Sequence, residues 1–114
     1  MTVDALLDFD PTKIYNKVVS KGNEWAERKA EAQYLEEAGK VLLAVITSEL
    51  TNKMSATQAT STAKADERWQ THIEGLRVAQ MASYKAQVDY EGAKGWRDDL
   101  RTKIVTMRDV AKIR

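Results

Sequence analysis

Five cations near the C-terminus, Lys94, Arg97, Arg101, Arg108 and Lys112, follow one another at steps of three, four, seven and four residues. Such steps bring side chains to one flank of a helix. A row of guanidinium and ammonium groups neutralises phosphates. Trp96 beside the row, with Tyr90 one to two turns back, offers rings on which unpaired bases stack. The pattern suggests a single-stranded nucleic-acid site. Plainer roles compete with it. Basic residues are favoured near a helix C-terminus by the macrodipole alone, and Asp98 is close enough in sequence to pair with Arg97 or Arg101. An acidic protein surface, including the N-terminal part of another copy, is the other candidate partner for this charge.

No other group of residues suggests a reaction. His72 is the only histidine, and a lone helical histidine reads as a surface or capping residue. Glu36-Glu37 and Asp98-Asp99 are adjacent pairs whose side chains diverge on a helix, so neither is an acid/base couple. There is no Gly-rich phosphate loop, nucleophile elbow or H-E-x-x-H. The absence of cysteine excludes disulfides, thiolate catalysis and Cys-based zinc sites. The expectation is a non-enzyme with no cofactor and no metal.

The elements that must carry the basic row are helical. Gly (five) and Pro (one) are scarce, while Ala, Lys, Glu, Gln and Arg, all strong helix formers, are common. Asp10-Pro11 reads as an N-cap followed by a first helical residue. Residues 1–10 are expected to be a flexible N-terminus and 11–114 a single domain. A short helix over about 11–21 would bury Ile14, Tyr15, Val18 and Val19. Gly22-Asn23 would interrupt it. A second helix over about 24–53 carries Trp25, Ala32, Leu35, Gly39, Leu42, Leu43, Ile46 and Leu50 at helical steps. The polar connection 54–65 is either a short helix, Ala56 to Lys64 capped by Ser55, or a mobile loop. Asp66 caps a third helix over 66–113, whose stripe is Trp69, Ile73, Leu76, Ala79, Ala82, Ala86, Ala93, Leu100, Ile104, Met107 and Ala111.

The predicted fold is all-α: a long antiparallel helical hairpin with a short N-terminal helix, resembling a coiled coil and assembling into an oligomer. Small residues along both stripes let the axes approach closely. Folding back at the connection places Glu24 near Gly95 and Pro11 near Arg108, with Gly92 and Gly95 opposite the joint at Gly22. The N-terminal helix then sets Ile14, Val18 and Val19 against Leu100, Ile104 and Met107. One such seam leaves apolar residues over. Tyr34, Val41, Val45, Met81, Tyr84 and Val88, with Tyr90, Val105 and Val110, suggest a second face that meets further copies.

Charge is dipolar beneath a net +1. Residues 1–50 hold nine acids and six bases, 51–93 five of each, and 94–114 seven bases and three acids. The start, MTVDALLDFDP, has no basic n-region, so no secretory signal is read there. The longest apolar run, 41–46, is far short of the roughly 20 residues a membrane span needs. No membrane partner is expected, and the cytoplasm is the expected compartment.

The run S-A-T-Q-A-T-S-T-A-K-A-D-E-R-W-Q-T-H-I-E-G-L-R-V-A, Ser55 to Ala79, precedes an Ala-spaced helix and then G-W-R at 95–97. Together these resemble a group of small all-helical phage proteins found among recombination genes and, more distantly, the UvsY recombination-mediator family. The resemblance covers roughly 24–112: a long helix, a short polar helical connection and a second long helix. It implies weak binding of single-stranded DNA, assembly into rings, and loading of a recombinase onto DNA held by a single-strand-binding protein, in the host cytoplasm. That family's basic cluster lies near the end of the first long helix. This chain has only Lys53 there, with Lys64 and Arg68 beyond the turn, so the C-terminal row is its own candidate.

Overall fold

The computed structural model describes residues 10–113, with side chains through Lys112. The N-terminus expected over 1–10 lies, apart from Asp10, outside them. Capping side chains set the helix boundaries. Asp10 Oδ1 accepts from the Thr12 N–H at 2.9 Å, and Pro11 takes the first helical position, where no N–H is needed. Helix α1 then runs Pro11–Leu50. Ser55 caps α2, Ala56–Lys64, its Oγ accepting from the Gln58 N–H at 3.3 Å. The polar connection is therefore a helix, and Ala59 and Ala63, one turn apart, are its fully buried face. Asp66 caps α3, Glu67–Ile113, its Oδ1 accepting from the Arg68 N–H at 2.8 Å. Gln70 Nε2 donates to the Lys64 carbonyl at 2.6 Å, satisfying the end of α2. All regular structure among the described residues is helical.

The break expected at Gly22-Asn23, and with it the division into helices over 11–21 and 24–53, does not occur: α1 continues through both. Glycine costs a helix interior about 1 kcal/mol relative to alanine. No described glycine has a positive φ, so Gly22 serves space rather than backbone angle. A Cβ added there would stand 3.1 Å from the Tyr90 ring.

Internal contacts gather the chain into two units, residues 26–84 and residues 10–25 with 85–113. In the first, Ala32, Gly39, Ile46, Ala59 and Ala63 are buried, with Leu35, Leu42, Leu43 and Leu50 half-buried. The predicted stripe of this part of α1 is the one that turns inward. Ile46, 1% exposed, is the only large side chain so fully enclosed among the described residues. Such burial is worth about 1.5–3 kcal/mol.

On α3 the expected roles of two neighbours are exchanged. Ile73, placed in the stripe, is 38% exposed. His72, placed at the surface, is half-buried and stacks on Trp69 with ring centroids 5.8 Å apart. Its Nε2 lies where a Gly39 Cβ would be, 2.5 Å from that position, and makes no hydrogen bond among the described residues. A flat ring fits a notch without a Cβ. A β-branched isoleucine does not. At the end of this unit, Arg68 Nη2 lies 2.8 Å from Glu49 Oε2 and 3.1 Å from Asp66 Oδ2. Hydrogen bonds from Arg68 hold both carboxyls below their ordinary range, and the two carboxylates raise Arg68 in turn.

In the second unit, Ile14, Val18, Ala86, Ala93 and Leu100 are buried, with Ile104 and Met107 half-buried. Tyr15 and Val19, expected inside, are 64% and 40% exposed, and Ala111 is exposed too. They lie at the edge of the inward stripe, which Ile14 and Val18 fill. Register also differs from expectation. Gly22 faces Tyr90, and Trp25 packs on the same ring at 5.5 Å between centroids. Gly92 and Gly95, expected opposite Gly22, meet nothing within 4 Å of an added Cβ. Glycine against glycine would leave a void, whereas the tyrosine ring fills the notch.

Two glycines of the first unit should respond oppositely to alanine. Gly39→Ala drives a Cβ into the His72 ring and should cost about 1–3 kcal/mol of overpacking, less the gain in helix propensity. Gly75, with nothing within 4 Å, should instead be stabilised by up to about 1 kcal/mol as alanine. Urea unfolding of both variants decides this, and His72→Ala added to Gly39→Ala should recover much of the loss.

A second expectation concerns acid. Carboxyls depressed in the fold stabilise it above their unfolded titration range and lose that contribution as pH falls through the folded one. The melting temperature should drop as pH falls below the ordinary carboxylate range. An Arg68→Gln variant should show less of that drop, because Glu49 loses the guanidinium that depresses it and Asp66 keeps only the backbone N–H of residue 68.

Candidate nucleic-acid interface

The basic row is positioned by the stripe beside it. Leu100 is buried, and Arg97, Arg101, Ile104 and Arg108, at steps of four, three and four, occupy the flank next to it. With Pro11, Ile14 and Tyr15 of α1 they line a cleft of about 480 Å³. Three arginines, a tyrosine and aliphatic side chains line it, and among the described residues no acid does.

Arg97 is half-buried, and its Nε donates to Asp98 Oδ1 at 3.2 Å. The pair is half open to solvent, so it holds Arg97 only weakly. Arg101 and Arg108 are exposed, and neither forms an ion pair with a described acid. The spacing explains why. Arg108 has no acid three or four residues away on either side, and the Asp98 carboxylate that Arg101 would reach is turned to Arg97. Lys112 is exposed at the same flank but does not line the cleft.

Lys94 and Trp96 go elsewhere. Lys94 is half-buried with its Nζ 4.9 Å from the Tyr90 ring centre. Trp96, 42% exposed, lies on the other side of the buried stripe and carries Lys17 Nζ 5.4 Å over its ring. It lines a separate cleft of about 260 Å³ with Lys17, Lys21, Asp89, Gly92 and Ala93. Thus Arg97, Arg101 and Arg108 come together, and the tryptophan expected to serve them does not join them.

Tyr15, Pro11 and Lys17 were not legible as site residues. Tyr15 had been assigned to the buried stripe. Its single signal is that its neighbours Ile14 and Val18 already complete an inward face, leaving the ring at the edge. Lys17 needed the register of α1 on α3, which periodicity alone does not give.

The apolar residues assigned to a second face are exposed. Tyr34, Val41 and Val45 on α1 are 69%, 65% and 48% exposed, at steps of seven and four. In the same unit Met81 and Tyr84 of α3 stand out to solvent, and in the other unit Val88, Val105 and Val110 do so. Tyr90 departs from this group, being half-buried between Trp25 and Gly22.

No three His, Asp or Glu side chains among the described residues converge as metal ligands would. Among those residues no helix is long and apolar enough to cross a membrane. The fold defines an all-helical protein. Comparison with known proteins adds no relative: no family model, no curated protein and no solved structure matches the chain.

Proposed function

We propose that the chain is an accessory protein of phage DNA recombination, an antiparallel helical hairpin that assembles into an oligomer and binds single-stranded DNA through Arg97, Arg101 and Arg108. The observation that carries the reading is the cleft itself. Three arginines line it with an exposed aromatic ring, and among the described residues no acid lines it and two of the three arginines have no acidic partner. Keeping like charges close is unfavourable unless a ligand or solvent compensates them. Lys112 extends the row as a further phosphate contact, whereas Lys94 lies over the Tyr90 ring.

The hairpin is supported separately in each unit, by Glu49 on Arg68 and Gly39 against His72 in one, and by Gly22 against Tyr90 and Lys17 over Trp96 in the other. Self-association is supported by the exposed rows Tyr34, Val41, Val45 and Met81, Tyr84 beside a core with so few large enclosed side chains. Further protein partners in this role are a recombinase or a single-strand-binding protein, which follows from the resemblance of the sequence to recombination mediators. The same exposed rows favour the second reading, a helical assembly factor or inhibitor of a host protein that touches no DNA.

Titration of a labelled single-stranded oligonucleotide separates the two. Three neutralised phosphates give a slope of about −2 in log affinity against log salt. Arg97→Glu with Arg101→Glu should abolish binding while helical content is unchanged. Absence of binding at low salt leaves the interaction protein as the reading.

Light scattering should give a mass that is a multiple of 12.9 kDa. Val41→Lys with Tyr84→Lys should shift that mass toward a single chain, since each places a desolvated charge in the proposed contact. A single-chain mass for the unaltered protein at micromolar concentration removes the oligomer.

A further inference from the structure

We propose that the cleft seats one unpaired nucleobase stacked on Tyr15, with the flanking phosphates held by Arg101 and Arg108. This rests on the single-stranded DNA reading and names the part of the ligand the site recognises. About 480 Å³ is within the range of sites that enclose a small molecule, and is more than contact with a passing phosphate backbone requires. The walls differ in chemistry. Ile14 and Ile104 supply aliphatic surface, Tyr15 supplies a ring that is 64% exposed, and the arginines supply charge. A base with its phosphates has matching apolar and anionic parts.

The arginines are spaced for more than one anion. At 1.5 Å of rise per residue, Arg97 and Arg101 are about 6 Å apart along α3, and Arg101 and Arg108 about 10 Å. Long side chains starting from positions that far apart can each hold a phosphate on either side of one base. The alternative stacking residue, Trp96, is less suited. Lys17 Nζ already lies over its ring, and its cleft is the smaller, about 260 Å³. Among the described residues, Tyr15 has no acid in its cleft.

The test compares oligothymidylate with an abasic oligonucleotide of equal length and charge, by fluorescence anisotropy at fixed low salt. The unaltered protein should bind the abasic strand about tenfold more weakly, the loss of one stacked base. Tyr15→Phe should keep that preference. Tyr15→Ala should bind both strands alike, at the abasic level, with an unchanged salt slope and unchanged helical circular dichroism. If Tyr15→Ala keeps the full preference, or the unaltered protein ignores the missing bases, the base subsite is overturned while DNA binding stands. If neither strand binds, both fall. Competition by poly-glutamate as strong as by oligothymidylate also overturns the proposal, because an acidic polypeptide would then suffice.

Discussion

Close approach across residues that lack bulk is the constraint on which this architecture rests. In one unit a histidine ring occupies the space that a Gly39 side chain would take. In the other, a tyrosine ring does the same at Gly22. Around them the buried positions are mostly alanine: Ala32, Ala59 and Ala63 in the first unit, Ala86 and Ala93 in the second. Alanine and glycine remove little apolar area from water, so their contribution comes through distance. Backbones that approach closely gain many weak dispersion contacts, each lost if one methyl group holds the helices apart. The large side chains that do go inside, Ile46 in one unit and Ile14 and Leu100 in the other, fix the few places where burial itself is substantial.

A seam of small residues has a consequence for the remaining apolar side chains. The narrow contact has no room for Tyr34, Val41 or Tyr84, so the composition that closes the seam also leaves those residues in solvent. Ordinary proteins expose single apolar residues without penalty. A row repeating at helical steps on one face is different, because it presents continuous area to any partner with the same repeat. The exposed apolar rows and the small-residue seam are in this sense two sides of one choice of sequence.

What was legible beforehand follows from how each signal arises. Caps depend on one residue type and its immediate neighbours, so Asp10 and Asp66 were readable, while the helix that Ser55 caps stood open against a mobile loop. The stripe from Leu35 to Leu50 was readable because it repeats over several turns. Errors gathered where a decision depended on the opposing helix. Gly22-Asn23 carries the signature of a break, yet a glycine facing a ring has the same letter as a glycine ending a helix. His72 and Ile73 are separated by 100° on α3, so a modest rotation exchanges them, and shape complementarity to Gly39 decided it. The basic row was legible as a row. Its cleft was not, because Tyr15 comes from α1 and only the register brings it to Arg97, Arg101 and Arg108.

The distribution of acids explains why the row keeps its charge in the fold. A helix neutralises its own cations most readily with acids three or four residues away, as Glu74 does for Arg77 and Glu37 for Lys40. Arg108 has no acid at those steps, and Asp98, three residues before Arg101, goes to its neighbour Arg97. The Debye length at physiological salt is about 8 Å, so Arg97 and Arg101 repel one another within it and Arg108 stands near its limit. Such a cluster lowers the stability of the isolated chain and raises its affinity for any multivalent anion by the same electrostatic term. Beside that charge the cleft holds a ring, Tyr15, and the aliphatic side chains Ile14 and Ile104, which charge alone does not provide.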